Sequence, residues 1–176
     1  GLGDVYKRQI ESILVGGEDV EIIIVNDGSK DHTSEIGHAY AEKYPEIIKV
    51  VDKENGGHGD AVNAGLAHAT GKYFKVVDSD DWVDEEALHK ILELFRRLEE
   101  EDQEIDMLIS NYVYEKTGAS HKKCVNYRNA LPQDEIFRWE DIGHFRLDQY
   151  ILMHSVIYRT GLLQLIQMRL PKHTFY

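Results

Sequence analysis

The sequence predicts an α/β fold in which helices flank a mostly parallel sheet, followed by a C-terminal half of looser α+β character. Three observations lead to this prediction. Short apolar runs rich in β-branched residues alternate with segments of helical spacing, a polar turn follows each of the first runs, and the alternation weakens after residue 115. Strands that alternate with helices are typical of βαβ units, which place parallel strands side by side.

The first half of the chain carries the clearest pattern. Its strands are predicted at the apolar runs, residues 20–25, 47–51 and 72–77. Its helices are predicted at residues 31–44, 61–70 and 84–101. The last helix is the best defined, because Asp84 can cap its first turn and apolar side chains recur every three or four residues from Ala87 to Leu98. Each predicted strand is followed by a helix, as βαβ units require.

The second half and the two ends are less regular. Strands and a helix are predicted at residues 105–115, 122–128, 149–159 and 160–170, with a polar turn at 117–120. Residues 1–9 follow no helix or strand period, and we predict that they are a non-native leader on a truncated chain. The predicted organisation is therefore a leader at residues 1–9, a first half at 10–115 and an incomplete second half at 116–176.

Composition excludes several classes of function. Lys and Arg total 20 against 32 Asp and Glu, and the net charge of -12 makes nucleic acid an unfavourable partner. The single cysteine, Cys124, excludes an internal disulfide and a cysteine-based zinc site, and it fits a reducing compartment. No apolar run approaches the ~18 residues needed to span a bilayer. The acidic balance instead suits a protein that recruits a metal ion before it handles an anion.

The stretch VVDSDDW at residues 76–82 places three carboxylates directly after an apolar run. In an extended exit from a strand, Asp78 and Asp80 share one face. Like charges that lie so close oppose each other's ionisation unless a cation compensates, and Mg²⁺ or Mn²⁺ would do so. The alternative is a solvated acidic turn in which Asp81 or Asp84 caps the next helix.

Two further polar clusters follow the first and second predicted strands. They are the turn of Asn26, Asp27, Gly28 and Ser29, and the glycine-rich stretch NGGHGD at residues 55–60. Ligands of open parallel sheets bind outside the carboxyl ends of the strands, so we expect both clusters at the same edge as the acidic turn. The glycine stretch can receive an anion at a helix start, with His58 in reach of a phosphate. A purely structural glycine turn and an Asx turn at Asp27 are the alternatives.

Taken together, the three clusters resemble the family 2 glycosyltransferases, whose catalytic domain has the Rossmann-like nucleotide-sugar-binding fold called GT-A. The resemblance rests on the stretches EIIIVNDGSKDHT and NGGHGDAVNAGLAHATGKYFKVVDSDDWVD, in that order and spacing. It covers residues 10–115 well and the remainder more faintly. The resemblance implies that residues 10–115 bind the nucleotide sugar and that residues 116–176 lie on the acceptor side.

The resemblance also implies roles for individual residues. Asp78 and Asp80 would be the Asp-x-Asp pair that binds Mn²⁺ or Mg²⁺, with Asp80 on the metal and Asp78 towards the ribose. Asp27 would contact the nucleotide base. The implied donor-binding residues are completed by Asn26, Gly28, Ser29, Gly57, His58, Asp60 and Asn63.

The implied reaction moves a sugar, with inversion, from a nucleoside diphosphate sugar to a hydroxyl of a saccharide or lipid-linked acceptor, as in polysaccharide biosynthesis. A UDP-sugar is the favoured donor. A divalent cation stabilises the diphosphate leaving group, and a carboxylate removes the acceptor proton. That base is expected beyond Tyr176, because Glu140 and Asp141 come too early and are interpreted as structural. The expected location is cytoplasmic, at the inner face of a membrane reached through segments outside this sequence.

Two alternatives stay open. An apolar strand followed by Asp-x-Asp is also typical of haloacid-dehalogenase-type phosphatases, in which Asp78 would be the nucleophile. Asp81 and Trp82 do not suit that motif, and it would follow the third strand instead of the first. The other alternative is a non-catalytic module that binds a nucleotide sugar and transfers nothing. It is suggested because the family's opening apolar strand and its base have no counterpart in these residues.

Overall fold

A computed structural model of the protein describes residues 2–115 and 122–172. Its strands are β1 Ile22–Asp27, β2 Ile48–Lys53, β3 Tyr73–Phe74, β4 Met107–Ile109, β5 Tyr112–Tyr114, β6 Lys123–Val125 and β7 Val156–Arg159. Its helices are α1 Leu2–Leu14, α2 Thr33–Lys43, α3 His58–His68, α4 Glu85–Glu100 and α5 Thr160–Leu165. Short 3₁₀ helices lie at Gly17–Asp19, Trp139–Asp141 and Met153–Ser155. The polar turn predicted at residues 117–120 lies outside the described residues.

The parallel pair of β1 and β2 forms the centre of the first half. The two strands pair in register from Ile22 opposite Ile48 to Asp27 opposite Lys53. Helix α2 connects them, so this unit is the predicted βαβ arrangement and the α/β class is confirmed. Because the strands are parallel, their carboxyl ends place Asp27 and Lys53 at one edge.

Residues 1–9 do not form the irregular segment that the sequence pattern predicts. Helix α1 spans Leu2–Leu14, and its Ile10 is buried in the main hydrophobic core together with Ile22. Tyr6 and Ile10 lie one helical turn apart, on either side of the boundary placed after residue 9, so that boundary divides a single amphipathic stripe. The prediction that these residues follow no period is therefore wrong. Their origin as a leader stays a prediction.

The third strand is shorter than predicted. Residues 72–77 are predicted as a strand, but β3 covers only Tyr73–Phe74 and pairs antiparallel with β7, which also pairs with β4. The strand predicted at residues 149–159 likewise shortens to β7. Lys75 interrupts the apolar run, because its ammonium group donates to the backbone carbonyl of His154 and so holds the two segments through a side chain instead of a strand ladder. The pairing brings the chain after β3 close to His154.

A groove of about 840 Å³ lies beside β1. It is lined by residues 22–25 of β1, by residues 73–77 and by apolar side chains of α4. Gln9 of α1 donates hydrogen bonds to the carbonyl oxygens of Val77 at 3.0 Å and Asp78 at 2.7 Å. A side chain therefore binds carbonyl groups that a neighbouring strand would bind in a continuous sheet.

The transition from the first half to the second is marked by a break in the strand predicted at residues 105–115. That run is divided into β4 and β5 at Ser110, whose N–H and hydroxyl both donate to the carbonyl of Ser155, at 2.7 and 3.1 Å. β5 then pairs antiparallel with β6 in a separate two-stranded sheet. Tyr127 and Val125 are buried in a second hydrophobic cluster next to it. The looser α+β character predicted for this half is what the described residues adopt.

Helices α4 and α5 differ in how well the sequence predicts them. For α4 the predicted cap is present, since the Asp84 carboxylate accepts a hydrogen bond from the N–H of Ala87 at 2.9 Å. Helix α5 ends at Leu165, well before residue 170, and Gln167 has a left-handed backbone with φ of 51°. Across the part of the chain that is described, no helix has both the length and the apolar character needed to cross a bilayer.

Candidate active site

The structure brings the three polar clusters to one edge, as the sequence predicts. The Asp27 carboxylate binds the glycine turn by accepting hydrogen bonds from the N–H groups of Gly56 at 2.9 Å and Gly57 at 2.8 Å. His58 comes next in the chain, and its Nδ1 lies 3.8 Å from the carboxylate of Asp78 in the acidic turn. The end of β1, the start of α3 and the chain after β3 therefore meet in one region.

Two glycines permit this close approach. Gly28 has φ of +72°, and a Cβ at this position would lie 2.9 Å from the backbone nitrogen of Asn55. Gly57 has φ of +84° at the position just before α3. L-residues with side chains rarely adopt these backbone angles, so glycine is needed at both positions.

Lys53 is a site residue that sequence reasoning missed. Its Nζ lies 2.5 Å from Asp27 and 2.7 Å from Asp60, so one ammonium group joins two carboxylates. Burial alone would raise the pKa of Asp27, but hydrogen bonds from Lys53, Gly56 and Gly57 outweigh burial and keep that pKa below its usual value. The hydrogen bond from Lys53 likewise lowers the pKa of Asp60. The parallel pairing of β1 and β2, which places Lys53 opposite Asp27, is the signal that could have found it.

Asn26 stabilises the turn after β1. It is 8% exposed, and its side-chain amide donates to Asp52 at 2.7 Å while its oxygen accepts from the N–H of Ser29 at 3.1 Å. Ser34 and His38 of α2 also bind the Asp52 carboxylate, at 2.9 and 2.7 Å. The hydrogen bond from Asn26, followed by those from His38 and Ser34, lowers the pKa of Asp52 to about 2. The substrate-binding roles of Asn26 and Ser29 stay predictions.

The acidic turn differs from the extended strand exit that the sequence pattern predicts. The N–H of Asp81 donates to the carbonyl oxygen of Asp78 at 2.9 Å, so the chain reverses at residues 79–80. This turn brings Asp78 and Asp81 together and leaves Asp80 exposed. Burial raises the pKa of Asp81, and the charges of Asp80 and Asp78 raise it further, although His154 opposes the shift. The role of Asp80 on the metal stays a prediction.

Asp78, Asp81 and His154 together form a candidate metal site. One ligand atom from each residue lies within 4.8 Å of the other two. Nδ1 of His154 is 3.5 Å from Asp78 and 3.9 Å from Asp81, too far for a hydrogen bond, and this buried nitrogen makes none with any described residue. A buried imidazole nitrogen that faces two carboxylates is a donor set that fits a divalent cation. Sequence reasoning missed His154, because it joins the acidic turn only through the pairing of β3 with β7.

Lys75 fixes the segment that carries His154. Lys75 lies three residues before Asp78, where the acidic turn begins. Its ammonium group donates a hydrogen bond to the backbone carbonyl of His154. Burial lowers the pKa of Lys75 to about 8, although the negative charge of Asp81 opposes the shift. Lys75 therefore connects the chain before the acidic turn to the segment that carries His154.

Asn63 and Asp60, which are both predicted to bind the donor, lie against residues 170–172. We call residues 170–172 the C-terminal segment. The Asn63 amide donates to the carbonyl oxygen of Leu170 at 2.8 Å and accepts from the N–H of Leu170 at 2.9 Å. The Asp60 carboxylate lies 3.3 Å from Nζ of Lys172. Contact of Asn63 and Asp60 with a donor stays a prediction.

The acidic pair in the second half belongs to a local turn. Glu140 and Asp141 lie in the 3₁₀ helix Trp139–Asp141. The Asp141 carboxylate accepts a hydrogen bond from the N–H of Arg138 at 2.9 Å, which closes that turn. This contact agrees with the structural interpretation of Asp141, and the same interpretation of Glu140 stays a prediction.

Comparison with known proteins places the chain in a family. A family model described as Glycosyl transferase family 2 matches residues 4–159. The minor teichoic acid biosynthesis protein GgaB of Bacillus subtilis (strain 168) is 40% identical over 102 residues, which are 56% of this chain and 11% of that protein. Glycosyltransferase GlyA of Streptococcus pneumoniae serotype 4 is 34% identical over 107 residues, which are 60% of this chain and 14% of that protein. The matched region is thus a small part of the length of each relative.

Solved structures share the fold. The S. aureus TarS 1-349 structure in complex with UDP superposes with a TM-score of 0.65 at 23% identity, over 94% of this chain and 46% of that chain. TarS 1-349 in complex with UDP-GlcNAc superposes with a TM-score of 0.64 at 22% identity, over 97% of this chain and 46% of that chain. This likeness shows the fold, which is of the GT-A type. Because the family model matches most of the residues, the chain belongs to glycosyl transferase family 2.

Proposed function

We propose that this chain is the nucleotide-sugar-binding part of an inverting glycosyltransferase that moves a sugar from a UDP-sugar to a hydroxyl of a saccharide or lipid-linked acceptor. One observation supports the proposal most: Asp27, the glycine turn, His58 and Asp78 converge at the carboxyl edge of the sheet. Family membership favours glycosyl transfer over the phosphatase alternative. The TarS structures that share the fold are complexes with UDP and UDP-GlcNAc, which supports a UDP-sugar as the donor.

In this proposal Asp78, Asp81 and His154 hold a divalent cation. The fit rests on their mutual distances and on the buried Nδ1 of His154. Mn²⁺ fits a mixed oxygen and nitrogen donor set better than Mg²⁺, which prefers oxygen ligands and near-ideal octahedral geometry. A cation bound by these residues would supply positive charge that stabilises a diphosphate leaving group. Asp80, exposed on the same turn, is the alternative ligand that the family resemblance implies.

Other residues of the chain hold the glycine turn and the charged groups of the site in place. Asp27 holds the N–H groups of Gly56 and Gly57, which fixes the glycine turn beside the end of β1. Lys53 holds Asp27 and Asp60 in their charged forms at the same edge. We assign the general base to no described residue.

Calorimetric titration with UDP, in the presence and absence of Mn²⁺, tests the proposal. We expect Mn²⁺ to increase the affinity for UDP by about tenfold or more, because the cation compensates both the carboxylates and the diphosphate. His154→Ala should remove most of that increase. His89→Ala is the matched control, since His89 is an exposed histidine of α4 whose nearest carboxylate, Glu85, lies 3.9 Å away. Equal UDP affinity with and without Mn²⁺, or equal losses in both histidine variants, would count against the metal site.

The same titration distinguishes the two candidate ligand sets. If Asp81 is a ligand, Asp81→Ala should abolish the Mn²⁺ effect while Asp80→Ala reduces it less, because Asp80 is exposed and lies outside the Asp78, Asp81 and His154 group. The reverse order of the two variants would establish the Asp-x-Asp assignment and reject ours. Both variants change one carboxylate of the same turn, so each serves as the control for the other.

Activity assays separate the remaining functions. Release of UDP from a UDP-sugar with transfer to a saccharide acceptor would reject the non-catalytic module. Binding of UDP and Mn²⁺ without any transfer by this chain would support that module. Hydrolysis of p-nitrophenyl phosphate that depends on Asp78 would support the phosphatase alternative, and we expect none.

A further inference from the structure

The side chain of Asn63 binds the C-terminal segment to α3 through hydrogen bonds to backbone groups, as a neighbouring strand would. Asn63 donates to the carbonyl of Leu170 and accepts from its N–H, so one amide binds both polar backbone groups of a residue 107 positions away. These two hydrogen bonds use one of the two N–H groups and one of the two acceptor sites of the Asn63 amide. The orientation of the amide is therefore set by Leu170.

Gly59 shapes the surface of α3 on which this segment lies. A Cβ at position 59 would be 2.2 Å from the carbonyl oxygen of Pro171 and 3.1 Å from Cβ of Leu170. The first distance is far below any contact that real Cβ atoms make, and the obstructing atom belongs to the backbone. The approach of the segment thus requires glycine at this position.

A chain of ion pairs connects the same segment to the candidate donor site. Lys172 lies 3.3 Å from Asp60, and the other oxygen of Asp60 lies 2.7 Å from Lys53. Lys53 in turn binds Asp27, the carboxylate that holds the glycine turn. A ligand that changes the charge around Asp27 will therefore change how strongly Lys53 and Lys172 each hold Asp60.

We propose that Asn63 is a positioning residue, which holds the C-terminal segment against α3 so that docking of the segment is coupled to occupancy of the nucleotide site. Asn63 acts through Leu170 and does not touch the donor. The coupling rests on the proposed function, since it assumes that the nucleotide binds beside Asp27 and the glycine turn. The docking itself rests only on the contacts of Gly59, Asn63 and the segment.

Hydrogen exchange at the Leu170 amide tests the docking. Asn63→Ala removes the acceptor of that N–H, and Gly59→Ala pushes the segment away while Asn63 is unchanged. We expect both variants to increase the exchange rate of Leu170 by about tenfold or more. Gly161→Ala is the matched control, because a Cβ there meets nothing within 4 Å, and it should leave the rate unchanged. An unchanged Leu170 rate in both Asn63→Ala and Gly59→Ala would overturn the inference.

Titration with UDP and Mn²⁺ then distinguishes positioning from direct contact. Positioning predicts that UDP slows exchange at Leu170 in the unmodified protein, and that Asn63→Ala and Gly59→Ala lose this protection and weaken UDP binding by similar factors, about three- to tenfold. Direct contact predicts weaker binding in Asn63→Ala only, with Gly59→Ala like the control, and that result would overturn the inference. If Gly59→Ala fails to fold, Lys172→Ala provides the second variant and should weaken binding in the same direction.

The result for the unmodified protein separates this inference from the proposed function. If the unmodified protein binds no UDP, the proposed function fails and the coupling to the nucleotide fails with it. The exchange rates without ligand still decide whether Asn63 positions the C-terminal segment. If UDP binds but leaves the Leu170 rate unchanged, the proposed function survives and the coupling is refuted.

Discussion

Replacement of Asp27 by asparagine tests how the end of β1 holds the glycine turn. The carboxylate accepts three hydrogen bonds, from Lys53 and from the N–H groups of Gly56 and Gly57. In Asp27→Asn the side-chain amide keeps one oxygen that accepts hydrogen bonds. Its NH₂ group replaces the other carboxylate oxygen and faces a group that is itself a donor, so that hydrogen bond is lost. Lys53 keeps Asp60 as its remaining carboxylate partner.

The expected loss of stability follows from these contacts. A hydrogen bond to a charged group contributes about 1.5–3 kcal/mol, and loss of one such bond together with weakening of the others predicts a decrease in the free energy of unfolding of about 2–3 kcal/mol. The side chain of Asp27 is 20% exposed, which favours the lower end of that range. For a domain of this size the decrease corresponds to a melting temperature lower by roughly 4–12 °C.

Urea denaturation of the unmodified protein and Asp27→Asn at several pH values measures this effect. The pKa of Asp27 is lower in the folded protein than in the unfolded chain, so its contribution is complete above the unfolded value of about 4 and is lost as the pH falls through the folded value. The difference between the two proteins should therefore be largest at neutral pH and decrease below about pH 4. Asp31→Asn is the control, since Asp31 is exposed and its carboxylate accepts a hydrogen bond within its own turn, from the N–H of Thr33 at 3.0 Å. A difference below about 0.5 kcal/mol at pH 7, or one that is constant with pH, would refute this reasoning.

Three further predictions concern other parts of the first half. Gly28→Ala should decrease the free energy of unfolding by about 1–3 kcal/mol in urea denaturation, because φ is +72° and a Cβ would meet the backbone of Asn55; the unobstructed Gly161→Ala should change it by less than about 0.5 kcal/mol. Asp84→Ala removes the cap of α4 and should cost about 1 kcal/mol, measured by thermal melting followed by circular dichroism, and an unchanged melt would contradict the cap. Hydrogen bonds lower the pKa of Asp52 to about 2, so the stability that Asp52 contributes is lost as the pH falls from about 4 to about 2. Asp52→Asn should therefore make the free energy of unfolding depend less on pH in that range. The same dependence of the free energy of unfolding on pH in the unmodified protein and in Asp52→Asn would argue against this prediction.

The part of the site that follows local rules was predictable from the sequence. The β-branched run that becomes β1 and the run that becomes β2 are each followed by a polar turn, and parallel pairing puts the two turns at one edge. The capping of α4 by Asp84 was also readable, because a cap acts within a single helical turn. The polar turns that follow β1 and β2 therefore meet as predicted.

The part that depends on long-range pairing was not predictable. His154 reaches the acidic turn through the antiparallel pairing of β3 with β7, and no local pattern around it indicates this. Asp81 replaces Asp80 in the candidate metal group, because the chain reverses after Asp78 instead of continuing extended. The contact of Asn63 with Leu170 joins residues 107 positions apart, so the sequence offered only the composition of the glycine stretch as a guide.

The central claim is that the acidic turn and His154 hold a divalent cation beside a nucleotide. Anomalous diffraction at the manganese edge, from crystals of the protein soaked with Mn²⁺ and UDP, tests this claim most directly. We expect one strong peak within bonding distance of Asp78, Asp81 and Nδ1 of His154, with UDP density between that peak and the glycine turn at Gly57. UDP bound with no manganese peak at these three residues, or a peak that contacts none of them, would contradict the account.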